Sequence, residues 1–173
     1  LNVPEDIGNI LKTSCYDCHS NEVEYPWYTN ISPLKFWIKH HIDEGVGHLN
    51  FSEWGTYSLG RAQHKMEECI EMVEEGEMPM DSYTLMHGDA KLSEEQKTKL
   101  IDWLTVNYNT LRKEYILSKI TGEYMDDYDA NYSITETTWQ QDTLNTFHIL
   151  KWNYEDLYII ARNDSANQGQ QGL

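Results

Sequence analysis

The chain is short of positive charge, cysteine and phenylalanine, and it has no long apolar run. Only 13 Lys and Arg stand against 29 Asp and Glu in 173 residues, a formal net charge of −16. That balance argues against nucleic acid and anionic membrane surfaces as partners, because both attract basic faces. The deficit is general: residues 1–120 carry a net −9 and residues 121–173 a net −7. Neither part is therefore a neutral module with an acidic tail. No stretch of about 18 apolar residues occurs, so no helix is expected to span a bilayer. The sequence begins Leu1-Asn2-Val3-Pro4, without an initiator Met or a signal peptide, so an export signal or anchor is expected to have been removed upstream. There is no internal repeat.

Cysteine is scarce, yet two of the three fall together, in Cys15-Tyr16-Asp17-Cys18-His19. This C-x-x-C-H spacing is the pattern of covalent c-type haem attachment. Residues three apart on a helical turn share a face, which lets two sulfurs reach the two vinyl groups along one porphyrin edge. His19 follows directly and can swing under the iron as proximal ligand. Other readings ask for more than the chain holds. A redox dithiol of the thioredoxin kind needs a βαβ context, and none is visible. A structural zinc site needs four ligands, and the remaining Cys69 has no second C-x-x-C beside it. A plain disulfide leaves His19 without a role. Cys69 lies among apolar helix positions and reads as a small core residue. Covalent haem attachment takes place outside the bacterial cytoplasm, so the motif implies a periplasmic or outer-surface location.

Helical patterning dominates up to about residue 120. Pro4 opens a first helix, Glu5 and Asp6 complement its positive end, and Ile7, Ile10 and Leu11 form its apolar stripe. Residues 20–32 read as a loop, with Tyr25, Pro26, Trp27 and Tyr28 available to cover a haem edge or simply to pack the loop. A second helix is expected over about 33–45, with Leu34, Trp37, Ile38 and His41 on one face and Gly45 as its stop. Another over 59–75 buries Met66, Cys69, Ile70 and Val73, exposes five glutamates, and ends at Gly76. Residues 81–91 read as a loop. Ser93-Glu94-Glu95-Gln96 is a capping box, opening a helix with Leu100, Ile101, Trp103 and Leu104 as apolar positions and helical character to about Lys119.

Beyond Gly122 the composition shifts to Tyr, Thr, Ile and Trp in short runs. Around Tyr132 to Thr138, Phe147 to Ile149 and Leu157 to Ala161 these predict a three-stranded antiparallel meander. Gln141-Asp142 and Asn153 to Asp156 serve as its turns. Asn163 to Gly172 reads as a frayed end. Three loop carboxylates, Asp126, Asp127 and Asp129, offer oxygen ligands of the kind calcium takes, but a solvated turn is the preferred reading of so short an acidic loop. The expected division is 1–120 for a haem-binding helical domain and 121–173 for a β appendage.

The order of these features resembles class I c-type cytochromes. It is most similar to the bacterial haem-binding domain family, whose members carry comparable Cys-Tyr-Asp-Cys-His-Ser-Asn, Pro-Trp-Tyr, Asn-Phe-Ser-Glu-Trp and Gly-Glu-Met-Pro segments, here residues 15–21, 26–28, 50–54 and 76–79. The resemblance covers about the first 110 residues. It implies a mainly α, cytochrome c-like domain in which the first helix crosses the one after Ser93, with Gly8 at the close approach and Trp103 packing nearby. It also implies a methionine as sixth iron ligand. Met78-Pro79 matches that position, Met80 is the alternative, and Met86 and His87 share the loop. The other histidines are His40, His41, His48, His64 and His148, and of these His41 and His64 lie on helices able to face a haem.

A His/Met pair raises a haem potential relative to His/His. The implied role is thus single-electron transfer by one covalently held haem c, not catalysis, toward a redox partner with a basic docking face. Two alternatives stay open: a sensor or activator of a small ligand such as a diatomic gas or peroxide, and an ancillary haem subunit of a larger redox complex.

Overall fold

Glu5 and Asp6 sit in the first turn of α1 (Glu5–Ser14), with Pro4 as its N-cap. In the computed structural model, which describes residues 2–25 and 27–167, this helix is followed by α2 (Tyr16–His19), α3 (Leu34–His48), α4 (Leu59–Glu75), α5 (Asp81–Thr84) and α6 (Glu94–Ile120). Short 3-10 turns cover Trp27–Asn30, Phe51–Thr56 and Gly88–Ala90. Five strands then complete the described chain, so the architecture is mainly helical with a C-terminal sheet. Pro26 lies outside the described residues, as do Leu1 and residues 168–173.

The chain divides into two compact units at Leu111/Arg112, within α6. The first is built around Ile7, Ile10 and Leu11 of α1, Met66 and Val73 of α4, and Leu100 and Leu104 of α6. Each is nearly inaccessible to solvent, and full burial of such a side chain contributes roughly 1.5–3 kcal/mol. The α4 glutamates face outward from this core, as the periodicity requires. Local signals set the helix ends. Ser58 Oγ accepts from Arg61 N at 3.3 Å to open α4, and Gly76, at φ +79°, closes it in the left-handed conformation that glycine adopts freely. Ser93 and Gln96 form the reciprocal capping box: Ser93 N donates to Gln96 Oε1 at 2.9 Å, and Gln96 N donates to Ser93 Oγ at 3.2 Å.

Two glycines behave differently from the sequence-based expectation. Gly45 does not stop α3, which runs through it to His48. Gly8 is not a point of close approach between helices: a methyl group there would meet only the Val3 side chain, at 3.8 Å. The tight contact is at Gly45, where a β-carbon would lie 2.5 Å from the Cys18 carbonyl oxygen. The missing side chain on α3 thus serves its packing on α2.

The second unit carries a five-stranded antiparallel meander in the order β1 (Gly122–Met125), β2 (Asn131–Ile134), β3 (Thr138–Gln141), β4 (Asn145–Asn153) and β5 (Tyr158–Asn163). Three strands were expected, and the two additional ones have identifiable causes. The run of Thr135 to Thr138 is rich in β-branched residues, yet it contains a turn. Thr135 Oγ1 accepts from Thr137 N and Thr138 N at 3.2 and 2.9 Å, a side-chain substitute for the ladder. Strand β1 lacks apolar alternation because all four of its residues are exposed. The carboxylate of Asp126 organises the β1–β2 turn, accepting from Tyr128 N, Ala130 N and the Tyr132 hydroxyl at 2.9, 3.0 and 2.9 Å. Asp126 is therefore committed to the turn. Among the described residues no group of three or more His, Cys, Asp or Glu could hold a metal ion, so the calcium reading of this loop falls. The expected turn at Asn153 to Asp156 is present, with Asn153 Oδ1 accepting from Glu155 N and Asp156 N. Of the expected frayed end, residues up to Asn167 are tied back to β4, with Thr146 N donating to Asn167 Oδ1 at 2.8 Å and Asn167 Nδ2 returning to Thr146 O at 2.7 Å, and the rest lies outside the described residues.

Candidate functional site

Cys15 ends α1 and caps α2, so the C-x-x-C-H segment is a single helical turn, with His19 N donating to Cys15 O at 3.0 Å. All three cysteines are free thiols. Burial is the main influence on each. It pushes the Cys15 thiol up to about 12, with Cys69 and Cys18 adding like-charge repulsion. It likewise raises Cys69 to about 12, helped by Glu68. Cys18 is raised by burial and by the neighbouring Asp17 carboxylate. A redox-active dithiol is favoured by the opposite shift, a stabilised thiolate.

His19 is held by backbone alone. Its Nδ1 lies 3.0 Å from the Gly45 carbonyl and 3.1 Å from the Leu49 carbonyl. Both partners can only accept, so Nδ1 must carry the proton, and Nε2 is left with the lone pair that a metal requires. Burial lowers the His19 pKa, against the raising effect of the two carbonyls, and favours the neutral ring. A neutral imidazole with one nitrogen anchored and the other free is the form in which histidine ligates.

The turn that follows His19 is locked by buried polar groups. Ser20 and Asn50 are 1% and 2% exposed. Ser20 Oγ donates to Tyr16 O at 2.8 Å and accepts from Glu22 N at 2.9 Å. Asn50 Nδ2 donates to Asn21 Oδ1 at 2.8 Å, Asn50 Oδ1 accepts from Ser52 N at 3.0 Å, and Ser52 Oγ accepts from Asn21 N at 3.0 Å. The Ser20-Asn21 and Asn50-Phe51-Ser52 segments, noted separately in the sequence, are thus two sides of one junction. Tyr16 packs on Phe51 with ring centres 5.6 Å apart.

Helix α3 packs on α2, the Trp27–Asn30 turn packs on α3, and both carry large apolar side chains in the open. Trp27 is 74% exposed, Phe36 65% and Trp37 47%, and Ile42 alone of α3 is buried.

The methionine segment reaches the motif through a tyrosine. Met78 is half-buried and its N–H donates to Met72 O at 3.0 Å. Met80 caps α5, its carbonyl accepting from Tyr83 N and Thr84 N at 2.9 and 3.0 Å. Tyr83 Oη in turn donates to Asp17 Oδ2 at 2.7 Å. Tyr83 also stacks on His87, with ring centres 4.3 Å apart, and His87 Nε2 shares a hydrogen bond with the Tyr28 hydroxyl. A cavity of about 420 Å³ opens beside this cluster, bordered by Lys12, Tyr16, Asp17 and Tyr83 among others. Sequence reasoning missed Asp17, Tyr83 and Tyr28 as partners, because they pair across 66 and 59 positions. Four of the other histidines have side-chain partners. His64 pairs with Glu68 at 3.1 Å on the surface, His40 with Glu44 at 3.4 Å and His148 with Asp164 at 2.6 Å, while His41 packs its ring against Trp37 at 4.4 Å. Met86 is exposed.

The residues present fit a haem: two thiols at the attachment spacing and a neutral histidine with Nε2 free. Comparison with known proteins agrees. Residues 1–106 match the family model described as haem-binding domain. No curated protein and no solved structure matches the chain.

Proposed function

The chain belongs to the haem-binding domain family, and from that premise we propose that it is a monohaem c-type cytochrome that carries single electrons. Cys15 and Cys18 form the two thioether links, His19 is the proximal ligand and Met78 the sixth. The observation that carries this reading is the setting of His19. Its Nδ1 proton is fixed on the Gly45 and Leu49 carbonyls, on the residue directly after a pair of thiols whose pKa values are raised. The haem supplies a one-electron couple when bound. The residues around it orient the imidazole, shield the attachment face and keep the ligand segment in place. A rigid setting suits electron transfer, and the net −16 charge steers a basic partner and makes association salt-dependent. Export to the periplasm or outer surface follows from covalent attachment.

Optical spectra of the oxidised and reduced protein with a pyridine haemochrome assay test the attachment; a spectrum without thioether-linked haem overturns it. Substituting Met78 with Ala is expected to open the sixth position and lower the midpoint potential. An unchanged spectrum and potential would remove Met78 from the ligand set. Carbon monoxide binding to the unmodified reduced protein at neutral pH would favour a gas sensor instead.

A further inference from the structure

Asp17 is one of the two unspecified residues of C-x-x-C-H, and attachment chemistry asks nothing of it. Here it accepts twice, from Glu24 N at 3.3 Å on Oδ1 and from Tyr83 Oη at 2.7 Å on Oδ2. Tyr83 belongs to α5, whose first turn closes on the Met80 carbonyl. The same tyrosine ring lies on His87, nearly parallel at 13°, and His87 is bound to Tyr28. One carboxylate within the attachment turn therefore ties down the segment after Met78-Pro79 and, through two rings, the loop after His19. Burial and the facing carboxylate hold the Tyr83 hydroxyl protonated well above its ordinary range, so it is a donor at any physiological pH.

We infer that Asp17 and Tyr83 are a positioning pair for the sixth ligand: their hydrogen bond holds the Met78 segment against the haem-attachment turn and sets how readily the methionine leaves the iron. This rests on the His19/Met78 ligand set proposed above. Neither residue touches iron; both act through the segment they tether. A hydrogen bond to a charged group is strong, and its loss is expected to raise the population of the displaced segment by about tenfold, the factor that corresponds to about 1.4 kcal/mol.

The test uses the full haem-loaded chain and inorganic cyanide or free imidazole as probe. Tyr83→Phe keeps the ring on His87 and deletes only the hydroxyl. It is expected to bind the probe to the ferric protein about tenfold more tightly than the unmodified chain, and to weaken the charge-transfer absorption of the thioether–iron bond. Asp17→Asn keeps a carbonyl oxygen able to accept from Tyr83 and is expected to fall between the two. A hydrogen bond that served only the fold would lower the melting temperature and leave probe affinity and the charge-transfer band unmoved; that result overturns the inference. Met78→Ala separates the two levels. If it responds while Tyr83→Phe does not, the positioning role alone is wrong; if Met78→Ala itself leaves the ferric spectrum unchanged, the ligand set fails and the positioning role falls with it.

Discussion

Replacing Gly45 with Ala places a β-carbon 2.5 Å from the Cys18 carbonyl oxygen, 3.3 Å from its carbon and 3.4 Å from its β-carbon. The nearest obstacle is backbone in the C-x-x-C-H turn, so no side-chain rotation relieves it. Moving the oxygen out to ordinary contact near 3.4 Å means separating α3 from α2 by most of an ångström. The same displacement stretches the bonds from His19 Nδ1 to the Gly45 and Leu49 carbonyls, now 3.0 and 3.1 Å. Overpacking of this sort costs about 1–3 kcal/mol, and a weakened hydrogen bond adds about 0.5–1.5 kcal/mol. The alanine returns at most about 1 kcal/mol through helix propensity. The net expectation is a loss of about 1–3 kcal/mol. Gly47, two residues on in the same helix, has nothing within 4 Å of its would-be β-carbon, so Gly47→Ala should be neutral or stabilising by up to about 1 kcal/mol. Urea unfolding of both variants, followed by circular dichroism, makes the comparison. Equal midpoints for the two would refute the argument that Gly45 is a contact glycine.

Asn50→Ala strips partners from Asn21 and Ser52 in a buried junction and is expected to cost about 1–3 kcal/mol, read as a lower urea midpoint with the haem spectrum retained. Leu104→Ala in the α1–α4–α6 core is expected to cost about 2–5 kcal/mol; a loss under 1 kcal/mol would mean that the site collapses around the deletion. The Asp126 carboxyl, held ionised by two backbone N–H groups and the Tyr132 hydroxyl, should titrate below the ordinary carboxylate value in an NMR titration. Its folded pKa is depressed, so the turn's stabilisation is present above the ordinary value and is lost as pH falls through the folded one; titration at or above the ordinary value would refute the turn geometry.

Much of the fold could be read from short-range signals. The capping box at Ser93, the glycine stop at Gly76 and the apolar stripe Ile7-Ile10-Leu11 each act within one or two helical turns, so their meaning is local. Gly45 misled because glycine serves both as a helix stop and as a point of close approach, and only the position of Cys18 decides between them. Thr135 to Thr138 misled because threonine suits a strand and also caps a turn with its hydroxyl. In the candidate site, Cys15, Cys18 and His19 declare themselves by spacing. The partners that complete it do not: the His19 acceptors are backbone carbonyls, which no side-chain pattern reports, and the Asp17–Tyr83 bond joins residues separated by most of the first unit.

The buried thiols have a consequence for the life of the newly made chain. With Cys15 and Cys69 raised to about 12, the reactive thiolate is scarce at neutral pH. Oxidants and stray disulfides attack thiolates, so the thiols of the folded chain would react with them slowly. The same protection would slow any bond-forming step at these sulfurs, which would be expected to run faster on a chain whose first two helices are still open.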